Sequence, residues 1–263
     1  MTLRFLNSNH SLLIYVCCFL PWAGYSASSS WTGNAGADTW GLAGNWTAGV
    51  PGAGDTATFD PNISTTTSAT NLGVINLGTI AFSSGNTAYT ITTATSGSCT
   101  LTNGGIVNSS SVTQNISNFR GLTFNNNADA GTNVLITNFT AGVITFLGNS
   151  TATNTNIVNI GAGAINISGI TPASMSIGSI SDGVITLGAK ELIVGGLNTS
   201  STLGLTSGVG GSLTKIGTGT LTLSGNNTYT GGTSITAGTL EGTTLSLQGA
   251  ITNNSALAIN QTF

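Results

Sequence analysis

Short apolar pairs, two residues apart, recur along this chain, and polar or glycine-containing turns separate them at intervals of roughly ten residues. Successive side chains of a strand point to opposite faces, so each such pair indicates a strand with one buried face. A helical interpretation has no support, because no helical period persists and glycine interrupts every stretch. In chain order the pairs are Val134 and Ile136, Ile144 and Phe146, Val158 and Ile160, Ile165 and Ile167, Ile185 and Leu187, Leu192 and Val194, Leu203 and Leu205, Leu221 and Leu223, Leu245 and Leu247, and Leu257 and Ile259.

Two all-β architectures fit this spacing. A solenoid coil takes 20-odd residues, which leaves room for two or three short strands per coil. An antiparallel sandwich is the main rival, since it also shows turn signals every 8 to 12 residues or so. Hairpin dipeptides such as Asn103–Gly104 are scarce, and the even run of similar units favours stacked coils. We therefore expect a β-solenoid, with asparagines stacked amide to amide at turns that need a left-handed backbone.

The composition excludes several classes of protein and partner. Charged residues make up 4% of the chain, and the mean hydropathy is +0.29, so the chain is expected to fold rather than stay disordered. The formal net charge is -3, with only four lysines and arginines. No basic stripe can neutralise phosphates, and nucleic acid is therefore excluded as a partner.

Residues 1–27 have the features of an export signal. Arg4 supplies positive charge, Ser11 to Leu20 form a short apolar run, and Pro21 ends it ahead of small residues. The apolar run is far shorter than the ~20 residues that a membrane-spanning helix needs. We therefore expect residues 1–27 to be removed on export from the cytoplasm.

Cleavage would remove His10, Cys17 and Cys18 and leave Cys99 as the single cysteine, without any histidine. The mature chain could then form no Ser-His-Asp or Cys-His catalytic arrangement, no internal disulfide and no Cys/His zinc site. Cys99 itself is expected to be a small strand residue rather than a nucleophile, because nothing near it in sequence would stabilise a thiolate.

The few charged residues do not suggest an enzyme. Polysaccharide-cleaving chemistry needs carboxylates gathered on one exposed sheet. Here the acids lie far apart in sequence, and each charged residue is expected to have an exposed structural role. We expect no catalytic residues, no cofactor and no metal. The acids that follow residue 62 are Asp129, Asp182, Glu191 and Glu241, and the mature chain's only bases are Arg120, Lys190 and Lys215.

Residues 28–62 differ in composition from the rest of the chain, because they contain three of the four tryptophans, Trp31, Trp40 and Trp46. A solenoid needs its open edge covered, so this segment is expected to be an N-terminal cap, with the indoles plugging the first coil. The alternative is a platform on which sugar rings stack. The segment also contains acids that could bind calcium or cap turns, and turn capping is favoured because no glycine-aspartate repeats accompany them; these acids are Asp38, Asp55 and Asp60.

The segment 213–240 carries a specific pattern, Lys-x-Gly-x-Gly-Thr-Leu-x-Leu-Ser-Gly-x-Asn-x-Tyr-x-Gly-Gly-Thr. It resembles the autotransporter-associated β-strand repeat of bacterial passenger domains. The resemblance implies a right-handed parallel β-helix, with coils over 63–212, the repeat over 213–240, and the start of a further, truncated coil over 241–263. The matching residues are Lys215, Gly217, Gly219, Leu221, Leu223, Gly225, Asn227, Tyr229, Gly231, Gly232, Gly238 and Leu240.

The resemblance also implies a function and partners. We expect a secreted or surface-displayed structural β-helix, a fragment of an autotransporter passenger with a role in adhesion. Its partners would be a surface or host ligand, with glycans among the candidates, and a β-barrel translocator missing from this chain. Two alternatives stay open: a carbohydrate-binding module that uses Trp31, Trp40 and Trp46, and an extracellular polymer that grows through the exposed end coil.

Overall fold

The computed structural model describes residues 27–204 and 206–260. Within this part of the chain there are 23 strands and a 3-10 helix, Ala43–Asn45, and every pairing between two of these strands is parallel. The predicted parallel β-solenoid is confirmed and the antiparallel sandwich is excluded, whereas the right-handed sense stays a prediction. Apart from Ala27, the predicted export signal lies outside the described residues.

The strands are mostly three to eight residues long. In chain order they are β1 (Ser28–Ser30), β2 (Thr56–Phe59), β3 (Ser68–Leu72), β4 (Ile75–Phe82), β5 (Thr90–Thr93), β6 (Ser98–Asn108), β7 (Gln114–Asn118), β8 (Gly121–Phe124), β9 (Val134–Asn138), β10 (Val143–Gly148), β11 (Ala152–Asn159), β12 (Ala164–Ile170), β13 (Ser174–Ser181), β14 (Val184–Thr186), β15 (Glu191–Val194), β16 (Ser201–Leu203), β17 (Thr206–Ser207), β18 (Ser212–Lys215), β19 (Thr220–Leu223), β20 (Thr233–Ile235), β21 (Thr239–Gly242), β22 (Ile251–Asn253) and β23 (Ala256–Ile259).

Several long strands bend, and each of them then belongs to two walls of the solenoid. In β4, residues 75–77 pair with β6, whereas residues 79–82 pair with both β2 and β6. In β13, residues 174–177 pair with β15 and, at Ile177, also with β11, whereas residues 179–181 pair with β11. The hydrogen-bonded sheets therefore merge at these bends, and the solenoid has three walls over most of its length.

We name the three walls face A, face B and face C. Face A contains residues 75–77 of β4, residues 98–101 of β6, and β8, β10, β12, β14 and β17. Face B contains β1, β2, residues 79–82 of β4, residues 105–108 of β6, the bridges at Asp129 and Thr151, residues 174–177 of β13, and β15, β18, β20 and β22. Face C contains β3, β5, β7, β9, residues 155–159 of β11, residues 179–181 of β13, and β16, β19, β21 and β23. These ten coils, at ~4.8 Å each, make a rod of roughly 45 Å.

Glycine at the bends permits close approach of neighbouring coils. A Cβ atom at Gly178, between the two halves of β13, would lie 2.8 Å from the Thr155 carbonyl oxygen and 2.9 Å from Leu197 Cγ. A Cβ atom at Gly78, between the two halves of β4, would meet the Gly54 carbonyl group and would lie 3.1 Å from Asn103 Nδ2. A side chain at either corner would therefore push adjacent coils apart.

Like residues stack on like residues inside the rod. On face C, parallel register aligns five buried isoleucines, one per coil: Ile91, Ile116, Ile136, Ile157 and Ile180. On face A, the buried column is Leu122, Ile144, Ile165 and Ile185. Each such side chain contributes about 1.5–3 kcal/mol through removal from water, and the columns hold neighbouring coils in register.

Most of the apolar pairs predicted from the sequence point inward as expected, but three do not, and Leu205 lies outside the described residues. The last of the three along the chain is Leu257 and Ile259 in β23, where Leu257 is half-buried and Ile259 is exposed. In β11 the inward residues are Ile157 and Asn159, so the predicted pair Val158 and Ile160 is out of phase by one residue. Leu245 and Leu247 lie in a turn and not in a strand, and Leu245 is exposed. The first error arises because β11 changes register where it bends between faces B and C.

A ladder of buried asparagines runs along the corner between faces C and A. Asn118 Nδ2 donates to Asn138 Oδ1 at 2.8 Å, and Asn138 Nδ2 donates to Asn159 Oδ1 at 2.8 Å. Thr93 Oγ1 donates to Asn118 Oδ1 at 3.1 Å at one end, and the Asp182 carbonyl oxygen accepts from Asn159 Nδ2 at 2.9 Å at the other. Successive members are 20 and 21 residues apart, which confirms the expected coil length.

The amide stacking predicted from the sequence is therefore present, but at different residues from those expected. The non-glycine residues with a left-handed backbone do not belong to the ladder; they are Asn71, Asn126, Asn133, Asp182 and Asn198. Outside the ladder, the rings of Phe119 and Phe139 stack with centroids 4.2 Å apart and planes 4° from parallel.

Candidate functional site

The three tryptophans of the N-terminal segment form the plug of the first coil. Their exposed fractions are 0% for Trp31, 2% for Trp40 and 5% for Trp46. Trp46 meets Trp31 edge to face at 5.1 Å between ring centroids and Trp40 at 4.6 Å, and all three surround Phe59 of β2. Indoles buried in this way offer no ring face on which a sugar could stack.

The plug continues into the rod through aromatic contacts. The Phe59 ring lies 5.3 Å from Phe82 and 5.4 Å from Tyr89, measured between centroids. The Trp46 indole nitrogen donates to the Trp40 carbonyl oxygen at 2.8 Å, and that of Trp31 donates to Thr66 Oγ1 at 3.2 Å. The aromatic core of residues 28–62 is thus continuous with the first coils of the solenoid.

Backbone hydrogen bonds of this segment cover two open strand edges. Trp40 donates its backbone N–H to the Thr70 carbonyl oxygen at 2.8 Å, and Thr70 donates to the Asp38 carbonyl oxygen at 2.6 Å, at the edge of face C. At the edge of face B, Thr47 donates to the Ser30 carbonyl oxygen at 3.0 Å and accepts from the Ser30 N–H at 2.9 Å through its hydroxyl. The described segment therefore has the geometry of a cap.

Asn45 fixes the loop that carries the tryptophans. Its side chain is fully buried; its Oδ1 accepts from the Ala35 N–H at 2.7 Å, and its Nδ2 donates to the Ala37 and Thr39 carbonyl oxygens at 2.7 and 3.0 Å. The only sequence signal for this role is the position of Asn45 next to Trp46.

Two of the three acids in the segment bind backbone N–H groups. Asp55 accepts from the N–H groups of Ala27 and Gly52, both at 2.8 Å, and Asp60 Oδ1 accepts from the Asn62 N–H at 2.8 Å. Turn capping is thus the role of these two carboxylates. The third acid, Asp38, pairs through its backbone carbonyl group.

Cys99 lies inside face A, where parallel register places it between Ile75 and Leu122. Its side chain is completely buried, and burial raises the pKa of the thiol to about 12. A thiol in this state is protonated at neutral pH and is a poor nucleophile. The expected structural role is therefore the one that the geometry supports.

We expect Cys99 in the folded protein to react with maleimide at pH 8 at least about a hundredfold more slowly than in guanidinium chloride, because the reagent must wait for local opening. Peptide mass spectrometry of Cys99 after timed labelling measures the two rates. Equal rates in the native and denatured protein would contradict the buried position of this thiol.

The repeat-motif residues of 213–240 build the interior and corners of three coils. Leu221, Leu223 and Leu240 point into the core. Asn227 is buried and accepts from the Thr206 N–H at 2.7 Å while its Nδ2 donates to the Ser246 carbonyl oxygen at 2.6 Å. The Tyr229 hydroxyl lies 2.7 Å from Thr233 Oγ1, and positive φ angles occur at Gly217, Gly225, Gly232 and Gly238.

Lys215 contradicts the expectation of an exposed position. It is 1% exposed and lies at the inward end of β18, aligned in register with Val194 and Ile235. Within the described part of the chain, its ammonium donates to three main-chain carbonyl oxygens and not to a carboxylate. The alternation of Leu213 and Lys215 was the sequence signal for an inward side chain, and the charge of Lys215 concealed it.

The other charged residues lie on or near the surface, as expected. Lys190 Nζ donates to the Pro172 carbonyl oxygen at 3.0 Å. The carboxylates of Glu191 and Glu241 accept from the hydroxyls of Thr214 and Thr222, so these two acids bind neutral partners. Among residues 27–204 and 206–260, no three His, Cys, Asp or Glu residues are grouped so that they could hold a metal ion.

The outer side of face A carries a straight row of small uncharged polar side chains. Parallel register aligns them one per coil over seven coils, so that they are spaced ~4.8 Å apart. The row consists of Asn76, Thr100, Thr123, Thr145, Asn166, Thr186 and Ser207. Thr186 and Asn76 are exposed, and the others are half-buried.

Two depressions on the described surface are shallow. One, of about 230 Å³, lies on the outer side of face B among residues such as Glu191, Thr214 and Ser234; the other, of about 210 Å³, adjoins Asp129. Small-molecule pockets usually have volumes of about 300–1,000 Å³. Both depressions are smaller than this range.

No helix among the described residues has the length and apolar character that crossing a membrane requires.

Comparisons with known proteins agree with this architecture. Residues 213–241 match the family described as passenger-associated-transport-repeat. Over 110 residues, which are 41% of this chain, the sequence is 41% identical to the adhesin BmaC autotransporter of Brucella suis biovar 1 (strain 1330), of which the match covers 3%. No solved structure matches the chain.

The chain thus spans only a small part of the length of that relative. The predicted resemblance to an autotransporter passenger that carries this repeat is confirmed. The same resemblance supports export and a location at the cell surface or in the extracellular space.

Proposed function

We propose that this chain is a rigid segment of an autotransporter passenger, displayed outside the bacterial cell, and that its outer walls contribute to adhesion. The observation that carries the proposal is the use of the repeat: its apolar residues and Lys215 point into the rod, its asparagine is buried, and most of its glycines have positive φ angles. The repeat therefore builds the rod, and ligand contact falls to outward side chains. The name of the Brucella relative, an adhesin autotransporter, supports the same function.

The partners follow from this proposal. A passenger needs a translocator for export, and an adhesive rod needs a ligand on a surface. The uncharged hydroxyls and amides that form the row on face A suit a neutral ligand rich in hydrogen-bonding groups, and a glycan belongs to this class. Such a ligand would bind along the row and not at the buried tryptophans.

The segment is, in this proposal, a scaffold without enzymatic activity. Support comes from the environments of the reactive side chains. Glu191 and Glu241 are bound to threonine hydroxyls on separate faces, and Cys99 is buried with a raised pKa. General acid and base catalysis on a sugar would need two carboxylates close to one another and to the substrate.

The test is display of residues 27–260 on a non-adherent bacterium through a heterologous translocator. Protease shaving of intact cells should release the rod, and the cells should bind host-cell monolayers or immobilised glycans more than cells that display an unrelated β-solenoid. Combined Thr123→Glu, Thr145→Glu and Thr186→Glu substitutions place repulsive charges in the row. These substitutions should reduce adhesion to the background level.

A matched triple variant on face C, Asn115→Glu, Thr137→Glu and Asn156→Glu, controls for added charge. Circular dichroism establishes that both triple variants fold. Efficient display without any gain in adhesion would contradict the adhesive role. Unchanged adhesion after the face A substitutions would contradict binding along the row and would indicate that the ligand binds another wall. Sedimentation of the same segment tests the alternative of an extracellular polymer, and monomers at high concentration would count against that alternative.

A further inference from the structure

The ammonium group of Lys215 is surrounded by main-chain carbonyl oxygens. Its Nζ donates to the carbonyl oxygens of Ile216, Gly217 and Ala237, the latter two at 2.8 and 3.2 Å. A lysine ammonium has three N–H donors and no acceptor, so three carbonyl oxygens match its hydrogen-bonding capacity. The match is unusual because the partners are neutral, whereas buried charges are commonly paired with opposite charges.

Stacked glycines provide the space for this group. Gly195, Gly217 and Gly238 lie one above another at the corner between faces B and C, with φ angles of 111°, 70° and 68°. A Cβ atom on Gly238 would lie 2.9 Å from Lys215 Nζ, and one on Gly195 would lie 3.4 Å from it. The lysine and two glycines of the repeat motif therefore form one structural unit, to which Gly195 of the preceding coil adds a third glycine.

Burial lowers the pKa of the Lys215 ammonium. The carbonyl dipoles act in the opposite direction, because hydrogen bonds to the charged form favour it. The aliphatic stem of the side chain continues the column of Val194 and Ile235, and only the charged end reaches the corner. Lys215 is thus part of the core along its length and a hydrogen-bond donor at its end.

We propose that this corner is a binding site for a primary ammonium ion, built from main-chain carbonyls, and that Lys215 occupies it from within the chain. Ala237 belongs to the coil after that of Lys215. The third hydrogen bond therefore forms only when β20 and its following turn have docked. The site couples the folding of two successive coils, and this inference does not depend on which ligand the outer surface binds.

The decisive experiment is chemical rescue of a Lys215→Ala variant by n-propylammonium, which replaces the deleted atoms. We expect the variant to melt at least about 6 °C below the wild type, and saturating n-propylammonium to restore half or more of the difference. The neutral 1-propanol and the bulky tetramethylammonium ion should not restore it. Lys190→Ala is the matched control, because that lysine lies at the surface and binds a single carbonyl oxygen; its melting temperature should change little in any solution.

A second measurement uses the unaltered protein, so the inference can be tested even if Lys215→Ala fails to fold. In a timed reaction with an acetylating reagent, Lys215 should react at least about tenfold more slowly than Lys190, as measured by peptide mass spectrometry. Equal acetylation rates would overturn the site. So would a folded Lys215→Ala variant that melts like the wild type or that 1-propanol rescues as well as n-propylammonium does.

Discussion

Replacement of Asn138 by leucine is expected to lower the free energy of unfolding by about 3–5 kcal/mol. Asn138 accepts from Asn118 and donates to Asn159 and to the Ala164 carbonyl oxygen, and all three asparagines are buried. Leucine has a similar volume, so the change removes hydrogen bonds without opening a large cavity. Asn118 Nδ2 would keep only a long contact of 3.4 Å with the Val143 carbonyl oxygen, and Asn159 Oδ1 would lose its donor.

Guanidinium denaturation, with amide hydrogen exchange in β7, β9 and β11, measures this loss. Asn156→Leu is the matched control, because Asn156 lies in β11 and points outward; its effect should be within about 0.5 kcal/mol. If Asn138→Leu destabilised the protein by no more than Asn156→Leu, the ladder would not contribute to stability as its geometry indicates. Loss of exchange protection confined to the ladder corner would support the expected mechanism.

The other large effect is expected from Trp31→Ala, at about 3–5 kcal/mol. Trp31 is fully buried against Trp46 and Phe59, and its removal leaves a cavity at the centre of the cap. The backbone pairs that cover the edges of faces B and C depend on this packing. We therefore expect thermal unfolding at a lower temperature, together with increased light scattering as the uncovered edges of β1 and β3 associate.

Leu42→Ala is the control for Trp31→Ala. Leu42 belongs to the same segment but is 40% exposed, so its truncation should cost less than about 1 kcal/mol and should not increase scattering. A Trp31→Ala variant that melts with the wild type would contradict the plug. A variant that is destabilised but stays monomeric would show that the edges are protected by something other than the cap.

The walls of the solenoid could be predicted from the sequence because period-2 alternation is a local signal. Ile144 and Phe146, or Leu221 and Leu223, point inward as their spacing indicates. The pattern failed at Val158, because β11 turns from one face to the next and shifts its register within a single strand. Such bends depend on contacts between coils, as at Gly178, and local alternation does not report them.

The candidate sites were predicted less well than the walls, for two physical reasons. The buried position of Trp31 in the plug could be predicted, because a solenoid needs its open edge covered. The hydrogen bonds of Asn45 to the same loop could not, because they depend on carbonyl positions that only the folded chain defines. The charge of Lys215 predicts a surface position, whereas the side chain is buried. Its three neutral partners come from two coils, and a single strand does not reveal them.

The parallel strands lie across the long axis of the rod, so the hydrogen bonds between coils lie along it. A force that pulls the two ends of the rod apart would therefore break these bonds one coil at a time. It would not shear whole sheets at once. Each coil of about 20 residues would release roughly 65 Å of extended chain. An adhesive rod of this design would lengthen in steps under flow, and the contact between its outer wall and the ligand would experience a limited force.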